Sequence, residues 1–468
     1  MTILLTHGYF IAEDAKEQAI MRPYVPLGIL YISAYLEQHG YQNEVFDSTF
    51  SSFDVLCAKL LHMRPHVVGL YTNLMTKLNI IRIIRFIKAH PALHRTRIVL
   101  GGPEVRNHVP NFLEQGADFI VLGEGEQTML ELVQYIDGKG SVADIDGIAY
   151  TQQQNRERTK LKNLDALPFP NRHKVDMSLY LEAWKEKHGA STMSISTMRG
   201  CPYSCKWCSR AVYGQSYRRR SPANVVNEIA QIKEQYHPDS LWFVDDVFTV
   251  SHQWLAAFTQ EITSRNLVMP YECITRADRM NEDVIIHLKK SGCFRVWIGA
   301  ESGSQKVIDL MDRRVEVEQV QAMIRLARQH GLQAGTFIMV GYPGETQEDI
   351  YATVRHLKNA NPDLFTITVA YPIKGTPLYT EVESRFVTHL PWDSSTDRDI
   401  DFQRTYNRKY YDYAIQMINY EVSYHKALQK PVANLFRLPV LKLRSTWAKG
   451  KMWMSARKPL HDHTVQVR

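Results

Sequence analysis

The feature that most constrains this chain is a change of period that keeps returning. Short apolar runs of strand length are each followed by a helical pattern, and this alternation occurs twice, on either side of a polar, proline-bearing stretch. In the first set the runs are Ile3 to Thr6, Glu44 to Asp47, Val67 to Tyr71, Ile98 to Leu100 and Phe119 to Leu122, with Asp146 to Tyr150 as a further strand. In the second they are Met193 to Thr197, Leu241 to Val244, Tyr271 to Thr275, Arg295 to Gly299, Thr336 to Val340 and Thr366 to Ala370. Parallel strands need crossover connections, so each set predicts an α/β unit with helices covering a parallel sheet. The expected order is a doubly wound, flavodoxin-like domain over 1–150, a linker over 151–190, a partial (βα)6 barrel over 191–380, and a mainly helical region over 381–468. The tyrosines of that last region (406, 410, 411, 413, 420 and 424) are spaced as core packing. A length of 468 residues suits about three domains. A composition of 44% hydrophobic and 22% charged residues excludes a disordered or fibrous chain.

The chemistry-bearing residues fall just past strand ends. In open α/β sheets the ligand crevice lies at the carboxyl ends of the strands, and glycine there lets a large ligand approach the main chain. Gly101-Gly-Pro103 and Gly123-Glu-Gly-Glu126 occupy such ends, so the first domain is expected to bind something large and flat; tight βα turns are the other use of these glycines. In the second set, Arg199-Gly-Cys201, Asp245-Asp246, Arg276, Glu301-Ser-Gly303, Gly341-Tyr-Pro-Gly344 and Lys374-Gly-Thr-Pro377 all follow strands, on the face where βα barrels carry their active sites.

Of six cysteines, three lie within eight positions, as Cys201, Cys205 and Cys208. This C-x3-C-x2-C spacing is a metal-ligand distribution rather than a disulfide framework, and it suits a reducing compartment. Three thiolates on a four-iron cubane leave one iron open to a chelating group. A zinc site would instead need a fourth ligand from Cys273, Cys293 or a histidine.

The C-x3-C-x-aromatic-C pattern after the first strand of a six-unit barrel, with Trp207 as the aromatic, resembles the radical S-adenosylmethionine (SAM) superfamily. That resemblance implies a 4Fe-4S cluster on Cys201, Cys205 and Cys208, whose open iron is chelated by SAM, and reductive cleavage of the sulfonium to a 5′-deoxyadenosyl radical. Carried over by position, Asp245 and Asp246 would meet the methionine ammonium, Arg276 the carboxylate, and Glu301 and Ser302 the ribose. Ile338 to Gly341 would pack on the adenine through backbone. The first domain resembles the cobalamin-binding domain of cobalamin-dependent members. Its expected contacts are Pro26, Leu27, Gly28, Tyr71, Thr72, Gly101, Gly102, Pro103, Gly123, Glu124 and Gly125. The D-x-H-x-x-G signature that gives cobalt a histidine is absent, so no residue is assigned as lower axial ligand; the resemblance implies cobalt without a protein histidine, and His7, at the end of the first strand, is the one minor candidate. The implied reaction is methyl transfer to an unactivated carbon. Oxidative cyclisation or ring rearrangement, as in the magnesium-protoporphyrin ester cyclase, is the alternative, and a zinc-stabilised cobalamin sensor without catalysis is a second.

Net charge is +7, and residues 431–468 carry eight Lys/Arg against Asp462, so the excess sits in the tail. That distribution argues against a broad nucleic-acid face, and Arg218-Arg-Arg220 reads as a solvated or phosphate-facing patch. The tail mixes basic residues with Leu435 to Leu443, Trp447 and Trp453, a composition suited to an anionic membrane surface or to an acidic flavodoxin- or ferredoxin-like electron donor. Pro439 is expected to interrupt any single helix there. The first apolar run is only three residues long and acidic Glu13 and Asp14 follow, so it is expected to be a strand and not a leader, and no apolar run is long enough to cross a bilayer. The expected setting is cytoplasmic, with peripheral membrane contact through the tail and a small-molecule substrate of amphiphilic character.

Overall fold

The computed structural model describes residues 1–151, 153–429 and 436–456. The chain forms two compact units. The first comprises Met1–Pro202, Ser209–Val244 and Leu390–Asp397, and the second Tyr203–Cys208, Asp245–His389 and Arg398–Arg468.

In the first unit, β1 (Ile3–His7), β2 (Glu44–Phe46), β3 (Val67–Tyr71), β4 (Arg97–Gly101), β5 (Phe119–Val121), β6 (Ile148–Tyr150) and β7 (Gln153–Gln154) make one sheet in the order β2-β1-β3-β4-β5-β6-β7. The first five strands run parallel, and β6 and β7 are antiparallel additions at one edge. Side chains alternate across a strand, and here both faces are covered. Leu4, Val68, Leu70, Ile98 and Leu100 pack with Ile80, Ile81, Ile83, Ile84 and Ile87 of the helix Lys77–Ala89. Ile3, Leu5, Val67 and Val99 pack on the other side with Ile29, Leu36, Met129, Leu132 and Val133. The same unit holds β8 (Thr192–Ile195), a two-stranded antiparallel ribbon of β9 (Met198–Arg199) and β10 (Arg218–Arg219), and β11 (Ser240–Phe243), which pairs parallel with β8.

In the second unit β12 (Tyr271–Thr275), β13 (Cys293–Glu301), β14 (Gln333–Val340) and β15 (Leu364–Val369) pair in parallel, each with the next. The register of β13 slips between Gly299 and Glu301, where the chain leaves the sheet at the loop of interest. Helices Arg408–Leu428 and Arg437–Ala456 close the unit; of the tyrosines expected in the core, Tyr410 and Tyr411 are fully buried, while Tyr406, Tyr413, Tyr420 and Tyr424 are half-buried.

Every strand expected from the alternation is present: Val67–Tyr71 and Tyr271–Thr275 have the expected ends, and elsewhere an end moves by at most three residues. The β9–β10 ribbon and β7 carry no apolar period and are new. The stretch expected as linker contains the helix Met177–His188, begun by the Asp176 cap and anchored by buried Tyr180 and Trp184. Pro439 does not interrupt the last helix: it lies in the first turn of Arg437–Ala456, where a missing N–H costs no intrahelical bond. Part of the tail reading, residues 430–435 and 457–468, lies outside the described residues. Leu390–Asp397 belongs to the first unit, where the Trp392 ring lies 4.3 Å from the Lys77 ammonium and edge-on to Phe112. Among the described residues no helix is long and apolar enough to cross a membrane.

One glycine is dictated by close approach. Gly102 has φ +108°, and a Cβ there would fall 2.3 Å from the carbonyl oxygen of Thr72. Gly102→Ala combines backbone strain with a clash that no side chain can relieve, so it should destabilise the first unit by about 2 kcal/mol or more, read as a drop in its thermal midpoint. An unchanged midpoint would contradict this packing.

Candidate active site

The cysteine motif spans both units by sequence: Cys201 closes a segment of the first, while Cys205 and Cys208 belong to the second. In the first unit the approach to Cys201 is fixed by charge. Arg199 donates from Nη1 to Glu124 at 2.9 Å and from Nη2 to Glu126, and Arg218 Nη1 donates to Glu124 at 2.7 Å. Burial pushes the Glu124 carboxyl up, but the bonds from Arg218 and Arg199 outweigh it and hold the group below its ordinary value. Gly200 has φ +85° and a Cβ position only 2.3 Å from the Ser216 hydroxyl, so the ribbon can close there only on glycine. The Arg218-Arg-Arg220 patch therefore turns inward instead of facing solvent or phosphate: Arg218 meets Glu124, Arg219 Nε meets the Thr197 hydroxyl, and Arg220 pairs with buried Glu228.

In the second unit the loop Tyr203–Cys208 is pinned at several points. Lys206 N–H donates to Met311 O at 3.1 Å, Leu378 N–H to Lys206 O at 3.0 Å, and the Ser204 hydroxyl to Asp312 at 2.6 Å. The Arg276 guanidinium lies 3.9 Å from the Tyr203 ring centroid. Cys205 is buried, with Arg276 Nη1 3.6 Å and Arg313 Nη1 3.7 Å from its sulfur. Two guanidiniums beside one buried sulfur place positive charge where an iron-bound sulfur would carry negative charge. Cys201 is partly buried and Cys208 exposed. Among the described residues no three His, Cys, Asp or Glu side chains surround one point as a single-ion site requires. Thiolates on a cubane each take a different iron and need no common centre.

The strand-end residues of this unit lie as follows. Asp245 is buried, and the adjacent Asp246 is open to solvent although hemmed in by protein. Desolvation, then repulsion from Asp245, pushes the Asp246 carboxyl up, so a bound ammonium would relieve both. Arg276 is engaged with Asp278 Oδ1 at 2.8 Å and Arg313 O at 2.7 Å, besides Cys205. Glu301, the buried last residue of β13, is held in the left-handed region at φ +64°, a strained conformation for a non-glycine residue. Desolvation raises its carboxyl above the ordinary value against the opposing pull of Arg313 and Arg276. The Ser302 hydroxyl contacts Thr353 at 3.3 Å and accepts from Ser304 N–H at 3.2 Å. Trp207 packs against the apolar group of Met311, Tyr342 and Leu378. Ile338 is buried in β14, and Gly341 follows it at φ +77°. Both polar groups of Gly341 are held by side chains: its N–H donates to Glu345, and its carbonyl accepts from Arg404 Nε at 3.2 Å.

Arg313, Tyr203, Glu345 and Arg404 were not found from sequence. Arg313 follows the helix Gln305–Leu310, not a strand, and Arg404 comes from a region read as generic helix. Glu345 sits one residue beyond the Gly341-Tyr-Pro-Gly344 stretch, which was the available signal.

In the first unit the expected cofactor loops sit at the carboxyl ends of β3, β4 and β5. Pro26 caps the helix Leu27–Gln38, and at Gly28 a Cβ would meet only Tyr71, at 3.8 Å. Gly101 is similarly open, with only Val121 within reach at 3.8 Å, whereas Gly102 is a packing glycine, and Pro103 follows it. A Cβ on Gly123 would approach Val212 O at 3.5 Å, and one on Gly125 would meet Ile32 at 3.0 Å. The Thr72 hydroxyl is buried without a hydrogen-bond partner. His7 does not fit a cobalt ligand. Its Nε2 meets Asp47 at 3.0 Å, and its Nδ1 accepts from Tyr9 N–H at 3.2 Å, so both nitrogens are used within the protein.

These residues fit the implied cofactors. Arg313 Nε is a buried donor without a hydrogen-bond partner beside the Cys205 sulfur, as an anionic ligand would require, and the Thr72 hydroxyl is a second unsatisfied group beside open glycines. The comparisons agree with the geometry. Residues 195–357 match the Radical SAM superfamily, and 21–133 match the B12 binding domain. An uncharacterized methyltransferase of Pyrococcus horikoshii is 26% identical, over 83% of this chain and 85% of that protein. The anaerobic magnesium-protoporphyrin IX monomethyl ester cyclase of Rubrivivax gelatinosus is 26% identical, over 82% and 70%. Among solved structures, the cobalamin-dependent SAM radical enzyme OxsB with aqua-cobalamin shares the fold at TM-score 0.75 and 15% identity, over 97% and 80%. The radical SAM methyltransferase TsrM of Kitasatospora setae, solved with tryptophan substrate and a SAM analogue, does so at 0.69 and 20%, over 83% and 79%.

Fold and site define a radical SAM enzyme. One chain thus joins a Radical SAM superfamily domain to a B12 binding domain, as in the cobalamin-dependent SAM radical enzyme whose fold it shares.

Two outcomes follow. Arg313→Gln removes a cation from the Cys205 sulfur, so the cluster of the reconstituted enzyme should become harder to reduce, its potential moving negative in a redox titration, with partial recovery in Arg313→Lys. An unmoved potential would detach Arg313 from the cluster. Burial raises Glu345 from 4.5 to about 8. Its folded pKa stands above the unfolded one, so its stabilisation is complete below about pH 4.5 and is lost as pH rises through about 8. Glu345→Gln should flatten the fall in thermal midpoint across that window, and an identical slope would contradict the assignment.

Proposed function

We propose that this enzyme transfers a methyl group to an unactivated carbon of a small-molecule substrate. The observation that carries the reading is the buried Cys205 sulfur between two guanidiniums, in a chain that also has the open glycine loops of a B12 binding domain. When bound, the cluster and SAM supply a 5′-deoxyadenosyl radical, and cobalamin supplies the methyl group.

The chain's own residues do the positioning. Cys201, Cys205 and Cys208 would hold three irons, and Trp207 would brace their loop from the apolar side. Asp245 and Asp246 would hold the methionine ammonium, and Arg276 with Arg313 would face its carboxylate. Glu301, whose carboxyl burial pushes above its ordinary value, would meet a ribose hydroxyl, while Ser302 orders the loop through Thr353 and Ser304. Gly341 would offer adenine a backbone edge fixed by Glu345 and Arg404. On the cobalamin side, Gly28, Gly101 and the Thr72 hydroxyl are the groups with room or unmet polarity for a ligand. Electrons would come from an acidic flavodoxin- or ferredoxin-like donor, which the basic C-terminal residues attract, and the same residues suit contact with a membrane.

The test supplies reconstituted enzyme, reductant, cobalamin and SAM carrying a deuterated methyl group to a metabolite extract of the source cells. The expected result is formation of both 5′-deoxyadenosine and S-adenosylhomocysteine, with the label in one small molecule. 5′-Deoxyadenosine with an unlabelled, ring-altered product would favour cyclisation, the chemistry that names the Rubrivivax relative. Asp246→Asn should raise the SAM concentration needed for half-maximal cleavage about tenfold, the equivalent of roughly 1.4 kcal/mol.

A further inference from the structure

The last helix, Arg437–Ala456, has its polarity reversed. Leu441, Ser445, Ala448, Met452 and Ser455 recur at helical spacing and are buried. This inner face is mostly small, and it is tied to the preceding long helix by polar contacts: Ser445 donates to Glu421, and Lys449 meets the same carboxylate at 2.7 Å. The opposite face carries the large apolar residues. Phe436 is 90% exposed and Leu443 72%, with Val440, Trp447 and Met454 about half exposed. Positions 436, 440, 443, 447 and 454 fall on one stripe of a 3.6-residue helix, and Trp453 stands beside it. A helix facing only water would place its small polar residues outward and its leucines inward.

Charge completes the pattern. Residues 436–456 contain five Lys/Arg and no Asp or Glu. Arg437, Lys442 and Arg444 are exposed, and Lys451 lies over the Trp447 ring at 5.6 Å. The long basic side chains flank the apolar stripe, as on a helix lying in a headgroup layer with its aromatics at the boundary.

We propose that the outward face of Arg437–Ala456 is a docking surface for an anionic lipid bilayer, on which the enzyme lies without spanning it. This deepens the peripheral membrane contact given under the proposed function and is independent of the reaction catalysed. Charge and apolar surface together select the occupant: a second copy would bring the same basic residues against themselves, and an acidic protein would pair with them but not with Phe436 and Leu443, while an anionic bilayer neutralises the charge and takes up the apolar stripe.

The test is co-sedimentation of the full chain with vesicles of phosphatidylcholine alone and with about one-third phosphatidylglycerol. Binding is expected to the anionic vesicles, to weaken at least tenfold on going from low to high salt, and to be weak on the neutral ones. Leu443→Glu with Phe436→Glu changes only side chains already in water, so the thermal midpoint should hold while vesicle binding falls at least tenfold. Arg444→Glu with Lys451→Glu should do the same. Wild-type protein that stays in the supernatant with anionic vesicles at low salt would overturn the proposal. Binding indifferent to Leu443→Glu would overturn it as well, as would a dimer in sedimentation velocity that Leu443→Glu abolishes without any vesicle binding. A loss of vesicle binding in Leu443→Glu that leaves 5′-deoxyadenosine formation unchanged separates this surface from the active site.

Discussion

The second unit is organised around one electrostatic arrangement: a buried sulfur, Cys205, between the guanidiniums of Arg276 and Arg313. Each cation is costly to bury and is kept in place by other groups. Arg276 is held by Asp278, the Tyr203 ring and Arg313 O, and Arg313 by Gly299 O at 3.0 Å with Glu301 nearby. These holders come from the ends of β12 and β13 and from the segment after Gln305–Leu310. The loop bearing Cys205 and Cys208 is therefore positioned by the strands that carry the residues expected to face SAM. The left-handed Glu301, Asp312 and Arg314 show where the backbone yields to that requirement.

The first unit uses charge in the same way for a different purpose. Arg199, two residues before Cys201, is clamped by Glu124 and Glu126 from the loop after β5, and Arg218 supports it from the paired strand. Glu124, expected to touch cobalamin, spends its carboxylate on these arginines. What remains for a ligand is backbone, open glycines and the Thr72 hydroxyl. A flat, amide-rimmed macrocycle can be bound by such features, and with His7 engaged by Asp47 and Tyr9 the cobalt gains no histidine from that position.

The legible parts of the sequence were those governed by local rules. Strand–helix alternation located every expected strand, because a β-branched run buried on both faces leaves an unmistakable period, as in Val67 to Tyr71. The cysteine triplet was legible because its ligands are near neighbours in sequence. What could not be read depends on long-range pairing. Arg313 lies 108 residues from the Cys205 it touches, and Arg404 lies 63 from Gly341. The basic triplet 218–220 looked solvated only because its partners, Glu124 and Glu228, declare themselves through folding. The final helix shows the converse: a proline breaks a helix only in its interior, and Pro439 lies in the first turn of Arg437–Ala456.

The central claim is that the loop from Cys201 to Cys208 carries an iron–sulfur cubane with one iron left for SAM. Metal and sulfide analysis of the full chain, reconstituted without oxygen, tests it most directly. About four irons and about four sulfides per chain are expected, falling to near zero when Cys201, Cys205 and Cys208 are all replaced by alanine. About one zinc per chain, with no iron or sulfide, would contradict it.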